Sequence, residues 1–253
     1  MLANIREIQV ISASSRLPLF QSLLGSGVRW GLDLKYAEQL SPDGLVQAFL
    51  IGENLLGDCG AALVFGDNLV YGHEFSAVLQ RAARRSDGAT LFAYRVADPE
   101  RCGVVGWQFG NDGERRVVSH EEKPHTPASN CAVTGLYFYD HRVVELARRV
   151  TPASRGELEI MDLNRFYLNP GDPQVDLLGR GMTCLDTGTC DSLQKAGSYI
   201  RALEKRQALK IGCPEEVAWR QRWITDEQLM ALATSSRRSG YRLYLEILLG
   251  EQR

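Results

Sequence analysis

The sequence lacks any long apolar run. No stretch approaches the roughly 18 consecutive apolar residues of a membrane-spanning helix. The charges nearly balance, with 29 basic against 31 acidic residues and a formal net charge of −2, so the basic surface typical of nucleic-acid-binding proteins is missing. The opening MLANIREIQVIS carries polar and charged residues within its apolar part, unlike a signal peptide. We therefore expect neither a membrane nor a nucleic acid as partner.

Cysteine and histidine do not occur in metal-binding patterns. None of the six cysteines forms a CxxC pair, and the four histidines show no zinc-ligand spacing beside them. Without an export signal to indicate an oxidising compartment, we expect reduced thiols in a cytoplasmic protein. No GxSxG motif is present, so the sequence does not support a hydrolase with an acyl-enzyme intermediate.

Strand-like and helical patterns alternate over about 190 residues. Predicted strands lie at residues 8–12, 34–39, 61–67, 89–96, 115–122, 132–140 and 175–186. Predicted helices lie at residues 17–24, 44–56, 74–85, 142–150 and 156–168. This alternation predicts an α/β fold with a parallel-rich sheet and helices on both faces. After Thr189 only helical patterns follow, so we expect a core at 1–190 and a helical C-terminal region at 191–253.

Two acidic residues follow apolar runs. Asp67 ends LVFGD, and ligands of open α/β sheets bind beyond the carboxyl ends of strands. Asp186 in CLDTGT has the same setting. A turn would also explain Asp67, and a helix N-terminus would explain Asp186. Two carboxylates about 4 Å apart repel by roughly 4 kcal/mol at an effective dielectric of about 20. Either a bound cation or protonation of one acid relieves this repulsion, and carboxylate oxygens suit Mg²⁺. The pair predicts a magnesium site.

Other motifs have both a structural and a functional interpretation. Arginine heavily outnumbers lysine in this chain, which sets Lys123 in HEEKP apart from generic surface charge, although a solvated ion pair is the default interpretation of such a run. Gly44 in SPDG precedes a predicted helix whose free N–H groups could receive an anion or a base edge. RGELEIMDLNR is an acidic helix start, which the helix dipole alone would explain. GSGVRWG predicts a turn, because its spacing does not match a GxGxxG phosphate loop.

Eight segments carry a family resemblance over almost the whole chain. In order, they are SPDGLVQAF, VFGDNLVYGH, DPERCGVV, HEEKP, NCAVTGLYFYD, RGELEIMDLNR, CLDTGT and CPEEVAWR. Together they resemble the bacterial glucose-1-phosphate thymidylyltransferases, a branch of the sugar-phosphate nucleotidyltransferases. The resemblance implies a Rossmann-like α/β fold with a mixed sheet. It also implies a homo-oligomer, a tetramer in that family, which makes dTDP-glucose and pyrophosphate from dTTP and glucose 1-phosphate with Mg²⁺, the first step towards dTDP-rhamnose and surface polysaccharide.

The resemblance also implies roles for individual residues. The metal ligands are Asp67 and Asp186, which act in catalysis together with Lys123. The thymine contacts are Gln39 and Gly44. The sugar-phosphate contacts are Gly103, Glu122, Lys123, Val133 and Glu157. Parts of a second, regulatory nucleotide site are Tyr71, Gly72, Arg180, Glu216 and Arg220.

The sequence departs from the family pattern at its start. The family opens with an apolar strand and a GGxGTRLxPxT loop bearing a catalytic arginine, whereas Met1 resembles a position after that unit. Losing about five buried apolar side chains at 1.5–3 kcal/mol each would cost on the order of 10 kcal/mol, against a usual stability of about 5–15 kcal/mol. We therefore expect little turnover from a chain of this length, and a catalytically inactive paralogue that partners a complete enzyme is the alternative. Cys102, Cys131 and Cys184 replace aromatic residues and are expected to loosen substrate positioning.

Overall fold

The computed structural model describes residues 1–109, 115–153, 156–168, 173–235 and 239–250. These residues form two compact units, one of residues 39–185 and one of residues 1–38 with 186–253. This grouping places the first 38 residues in the same unit as the C-terminal helices. The division into 1–190 and 191–253 expected from the sequence stays a prediction. Within the described ranges, no helix is both long and apolar enough to cross a membrane.

The described residues contain ten strands and ten α-helices. The strands are β1 (Glu7–Ser12), β2 (Asp33–Glu38), β3 (Ala61–Val64), β4 (Asn68–Tyr71), β5 (Ala89–Arg95), β6 (Gly103–Phe109), β7 (Arg115–Glu122), β8 (Cys131–Tyr139), β9 (Pro173–Leu177) and β10 (Thr183–Asp186). The helices are α1 (Leu17–Leu24), α2 (Gln47–Ile51), α3 (Glu53–Leu56), α4 (Phe75–Ala83), α5 (Val143–Ala147), α6 (Ile160–Phe166), α7 (Cys190–Gln207), α8 (Pro214–Arg220), α9 (Asp226–Ser235) and α10 (Gly240–Gly250).

A six-stranded mixed sheet organises residues 39–185. Its order is β7-β6-β8-β5-β9, and β3 also pairs with β8. Strand β8 lies in the middle of this sheet. Almost all of its residues are buried, as expected for a strand covered on both faces. The expectation of a parallel-rich sheet is wrong. Only β5 and β9 pair in parallel in its described ladders, because β8 runs antiparallel to β3, β5 and β6, and β6 with β7 forms an antiparallel pair.

Several predicted elements are divided by turns. The predicted strand at 61–67 stops at Val64, and β4 begins separately at Asn68. The predicted strand at 175–186 is β9 and β10, separated by a turn in which Gly181 has a φ of 88°. The predicted helix at 44–56 divides at Gly52 into α2 and α3. Strands β4 and β6 and helix α10 had no counterpart among the predicted elements.

Helices α2, α5 and α6 contribute buried residues to the main hydrophobic core of residues 39–185, which strands β3, β5 and β8 complete. Phe49 packs edge-on against Tyr139, with ring centroids 5.3 Å apart. Fully buried Leu163 and Tyr167 continue this core from α6 and the residue after it. The core therefore fixes α6, which carries residues beside the candidate site, against the sheet.

A buried carboxylate, Asp140, holds the end of β8. It is 3% exposed. Its Oδ2 accepts hydrogen bonds from the Gly88 N–H at 2.7 Å and from Arg142 Nε at 2.9 Å, and its Oδ1 accepts from the Tyr167 hydroxyl at 3.1 Å. Burial alone would raise the pKa of Asp140, but the hydrogen bonds from Arg142 and Gly88 outweigh it and lower the pKa. The ionised form is therefore the one that stabilises the fold.

We expect Asp140→Asn to lower the free energy of unfolding by about 1–3 kcal/mol at pH 7. The native pKa lies below the unfolded one, so the stabilisation is present above the unfolded pKa and is lost as pH falls through the native pKa. The difference between wild type and variant should accordingly shrink below about pH 4. Urea denaturation at several pH values measures it, with exposed Asp58→Asn as control. A constant difference down to acidic pH would contradict this account.

The unit of residues 1–38 and 186–253 joins a parallel pair of strands, β1 and β2, with α1 and α7–α10. Its core includes Trp30, Leu34, Trp219, Leu229 and Leu245. The described residues after Asp186 contain helices and no strand, which confirms the helical pattern predicted for them. The GSGVRWG segment forms a turn, as predicted, with a short 3₁₀ helix at Val28–Trp30.

Candidate functional site

The SPDG loop holds Gln39 in place. The Gln39 side-chain amide donates to the Gly44 carbonyl at 3.2 Å and to Gln47 Oε1 at 2.7 Å. Gln47 in turn donates to Asp43 Oδ2 at 2.8 Å. These bonds join the two predicted thymine contacts, Gln39 and Gly44, in one loop ahead of α2. Asp43 and Gln47 were not predicted as site residues, and their only sequence signal is their i, i+4 spacing.

Gly44 allows the SPDG loop to pack closely against the main chain of Leu158. Its φ is 103°, and a Cβ there would lie 2.4 Å from the Leu158 carbonyl oxygen and 2.5 Å from its nitrogen. The Leu158 N–H donates to the Asp43 carbonyl at 2.6 Å. Glu157, a predicted sugar-phosphate contact, is the residue before Leu158. The Gln39 side chain thus contacts the SPDG loop, and the main-chain contacts of that loop with Leu158 place Glu157 next to it.

Gly103, Glu122 and Lys123 meet where β6 pairs with β7. Gly103 lies opposite Glu122 in the ladder, and the Lys123 N–H donates to the Cys102 carbonyl at 2.9 Å. Lys123 Nζ lies 3.6 Å from Glu122 Oε1, with both side chains substantially exposed. The solvated ion pair considered as the structural interpretation of HEEKP is present. It also leaves an ammonium group accessible to a phosphate.

Val133 and α6 complete this second group. Val104 pairs with Ala132 in the antiparallel ladder of β6 and β8, which sets half-buried Val133 beside Gly103. A Cβ on Gly103 would lie 3.8 Å from Met161 Sδ, on α6. Because α6 follows directly from the Glu157 segment, it connects the SPDG loop with the Gly103 group within residues 39–185.

Asp67 lies in the exposed turn between β3 and β4. Asn68 orients it, because the Asn68 amide donates to Asp67 Oδ1 at 2.9 Å while Asn68 Oδ1 accepts from the Gly135 N–H at 3.1 Å. A side chain at Gly135 would collide with Phe65, whose Cδ2 would lie 2.4 Å from a Cβ there. Asn68 and Gly135 were not predicted as positioning residues, and their separation of 67 residues in the chain leaves no local signal.

Asp186 is the exposed last residue of β10. Its Oδ1 accepts from the Gly188 N–H at 2.9 Å, and Thr189 then caps α7 through the Ser192 N–H. CLDTGT therefore leads into α7, and Asp186 itself lies before the helix N-terminus that its structural interpretation expected. Asp67 belongs to residues 39–185, whereas Asp186 opens the second segment of the other unit, so their pairing stays a prediction. Among the described residues, no group of three or more His, Cys, Asp and Glu is placed to share a metal ion.

The predicted regulatory residues fall in both units. A Cβ on Gly72, next to Tyr71 at the end of β4, would lie 2.6 Å from Met182 Cγ, and Arg180 lies two residues before Met182. In the other unit, Arg220 Nε donates to Glu216 Oε1 at 2.7 Å. The regulatory site as a whole stays a prediction.

Cys102 lies beside the candidate site but is not suited to act as a nucleophile. Burial raises the pKa of its thiol, and the negative charges of Asp98 and Glu122 raise it further. The thiol is therefore protonated at neutral pH, whereas the thiolate is the reactive form. The six cysteines are all free thiols.

Comparison with known proteins identifies the family. Residues 1–202 match the family model described as nucleotidyl transferase. The chain is 50% identical to a glucose-1-phosphate thymidylyltransferase of Neisseria meningitidis over 98% of its own length and 85% of the relative. A thymidylyltransferase of the same name from Mycobacterium tuberculosis matches with the same identity and coverage.

Solved structures have the same fold. A crystal structure from Bacillus anthracis, assigned as a glucose-1-phosphate thymidylyltransferase in complex with sucrose, aligns with a TM-score of 0.72 and 31% identity over 84% of this chain and 80% of that one. A UDP-glucose pyrophosphorylase complexed with UDP-glucose aligns with a TM-score of 0.66 at 20% identity over 80% of this chain and 83% of that one. The mixed α/β fold is confirmed, and the chain belongs to the nucleotidyl transferase family.

Proposed function

We propose that this protein is a glucose-1-phosphate thymidylyltransferase. A phosphate oxygen of glucose 1-phosphate attacks the α-phosphorus of dTTP, the bond to the β-phosphate breaks, and dTDP-glucose and pyrophosphate are formed. The observation that carries the proposal is the 50% identity, over 98% of the chain, to relatives that bear this name. No observation favours the inactive paralogue considered from the sequence.

Gln39 and Gly44 are proposed to read thymine. Gln39 is half-buried and already fixed by Gly44 and Gln47. An amide side chain can donate to one edge atom of a base and accept from another. Because the loop is braced before the nucleotide arrives, little conformational entropy is lost when the base binds.

Lys123 and its neighbours are proposed to hold glucose 1-phosphate. The Lys123 ammonium would neutralise the sugar phosphate and keep it in line with the α-phosphate of dTTP. Glu122 and Glu157 carry carboxylates that accept hydrogen bonds from sugar hydroxyls. Gly103 and Val133 provide the adjoining sheet surface. Phosphoryl-type transfer depends mainly on such positioning and charge neutralisation.

Asp67 and Asp186 are proposed to hold Mg²⁺. In proteins Mg²⁺ is usually bound by one or two carboxylates together with substrate phosphates and water, so the exposed carboxylates of Asp67 and Asp186 fit this ion. Strand β4, which begins directly after Asp67, pairs with β10. When bound, the ion offsets the negative charge on the nucleotide phosphates. Asn68 holds the Asp67 carboxylate in orientation.

We also propose a compartment, a pathway and an oligomeric state for this enzyme. We infer that the enzyme works in the cytoplasm, where its six free thiols stay reduced, and that its product feeds dTDP-rhamnose and surface polysaccharide synthesis. By resemblance it is a homo-oligomer, a tetramer in that family. A second nucleotide site for regulation would involve Tyr71, Gly72, Arg180, Glu216 and Arg220.

The proposal is tested by supplying the purified chain with glucose 1-phosphate, Mg²⁺ and each nucleoside triphosphate in turn. In place of the little turnover expected from the sequence, we expect dTDP-glucose and pyrophosphate in equal amounts, with dTTP the preferred nucleotide. Galactose 1-phosphate and mannose 1-phosphate serve as sugar controls. Absence of any nucleotide-sugar would contradict the proposed activity, and a preference for another nucleotide would contradict the thymine-reading role of Gln39.

A further inference from the structure

His120 is a buried histidine that is not among the proposed substrate or metal contacts. It lies on β7 and is 3% exposed. Glu122 lies two residues further along the strand, so both side chains project from the same face of the sheet. Their partners in the ladder are Val105 and Gly103.

The hydrogen bonds around His120 define its tautomer. The Tyr139 hydroxyl donates to Asn164 Oδ1 at 2.6 Å, and burial raises the pKa of Tyr139 well above its ordinary value, so that proton is retained. The Asn164 side-chain nitrogen therefore faces His120 Nδ1, at 3.2 Å, and donates to it. Because Nδ1 accepts this bond, the proton of the neutral imidazole is on Nε2.

The imidazole is neutral throughout the physiological range. Burial lowers its pKa, the positive charge of Arg165 lowers it further, and the resulting pKa is about 4. Nε2 consequently carries an N–H in a neutral ring. Among the residues that the structure describes, this buried N–H has no hydrogen-bond partner. Buried donors are nearly always paired, so an exception indicates a functional contact or a bound water.

The geometry around Gly103 shows what lies near this donor. A Cβ on Gly103 would lie 3.5 Å from His120 Nε2 and 3.1 Å from Glu122 Oε2. Both groups therefore border the space that a side chain at this position would fill. Glu122 is an acceptor, and its other oxygen lies 3.6 Å from Lys123 Nζ.

We propose that His120 is a positioning residue for Glu122: its Nε2–H donates, directly or through one bound water, to the Glu122 carboxylate and turns that carboxylate towards the sugar. The inference rests on the proposed function, in which Glu122 accepts hydrogen bonds from the sugar of glucose 1-phosphate. A neutral donor orients the carboxylate without neutralising it, so the pair with Lys123 is preserved. His120 itself does not touch the substrate.

Steady-state kinetics test this role with two variants. His120→Leu removes the donor, and we expect the KM for glucose 1-phosphate to rise about tenfold while the KM for dTTP changes less than twofold. His120→Gln retains an N–H near the position of Nε2 and should restore most of the affinity. The exposed His141→Leu is the control. Equal changes in both KM values, no change in either, or a folded His120→Gln as impaired as His120→Leu would overturn the proposal.

Nuclear magnetic resonance provides a readout that needs no turnover. Long-range ¹H–¹⁵N spectra of the wild-type chain should show His120 protonated at Nε2 and not at Nδ1 between about pH 5.5 and 8. Glu122→Gln should shift the Nε2 resonance. A proton on Nδ1, or a resonance insensitive to Glu122→Gln, would overturn the proposal. A wild-type chain that makes no dTDP-glucose would instead refute the proposed function, and the tautomer and coupling would then decide the contact between His120 and Glu122 by themselves.

Discussion

Replacing Lys123 with methionine is expected to lower kcat/KM for dTDP-glucose formation by about 10²–10³-fold, the usual effect of removing one preorganised group that stabilises developing charge. Lys123 has a φ of 44°, outside the usual region for a non-glycine residue. Its N–H is held by the Cys102 carbonyl. The main chain therefore sets the direction in which the ammonium leaves the sheet, and methionine retains the length of the side chain without its charge.

The folded state should tolerate this change. The Lys123 side chain is 63% exposed and its ion pair with Glu122 is loose at 3.6 Å, so the free energy of unfolding should change by less than about 0.5 kcal/mol. Lys123→Arg should have an intermediate rate. Arginine keeps the positive charge, but its planar guanidinium does not have the compact shape of an ammonium. Lys195→Met, on the exposed surface of α7, is the control. Near-normal kcat/KM for Lys123→Met would remove Lys123 from the phosphate site.

Replacing Gly44 with alanine is expected to disrupt the nucleotide side of the site. The added Cβ would lie 2.4–2.8 Å from three main-chain atoms of Leu158, and main chain cannot rotate away as a side chain can. Either the SPDG loop or the Glu157 segment must move. We expect the KM for dTTP to rise at least about tenfold and the free energy of unfolding to fall by about 2–4 kcal/mol.

The chain provides a matched control for this substitution. Gly57 also has a positive φ, of 52°, but a Cβ there would have no atom within 4 Å. Gly57→Ala should therefore show only the backbone cost, about 1–3 kcal/mol for its φ of 52° and ψ of −127°, with an unchanged KM for dTTP. Thermal unfolding and initial-rate kinetics on both variants separate the two contributions. If Gly44→Ala behaves like Gly57→Ala, the contact with Leu158 does not support the thymine site.

Several elements were predicted well from their local sequence patterns. The strand at 115–122 and the helix at 17–24 have the predicted bounds, and the buried run at 132–140 is β8 within one residue at each end. The residues within each of these elements are enough to indicate its type and bounds. Strand β4 has only four residues and β6 has two glycines, so neither has a run long enough to be distinguished from a loop.

Features that depend on distant pairing could not be predicted. The alternation of strands and helices does not specify strand direction, so it gave no sign that β8 would enter the sheet antiparallel to three neighbours. Residues that support the site also depend on contacts between distant parts of the chain. His120 meets Asn164, which is 44 residues away in the chain. The roles of Gly103, Glu122 and Lys123 came from the resemblance, and the β6–β7 register then accounts for their proximity.

We propose that one carboxylate after β3, Asp67, and one at the end of β10, Asp186, together hold the divalent ion. Titrating Mn²⁺ into the full chain with dTTP, and following free Mn²⁺ by electron paramagnetic resonance, measures this directly. We predict one tight, nucleotide-dependent site per chain in the wild type, weakened at least about tenfold in both Asp67→Asn and Asp186→Asn, with Asp58→Asn unchanged. Full Mn²⁺ affinity in either of the two variants would contradict the shared site.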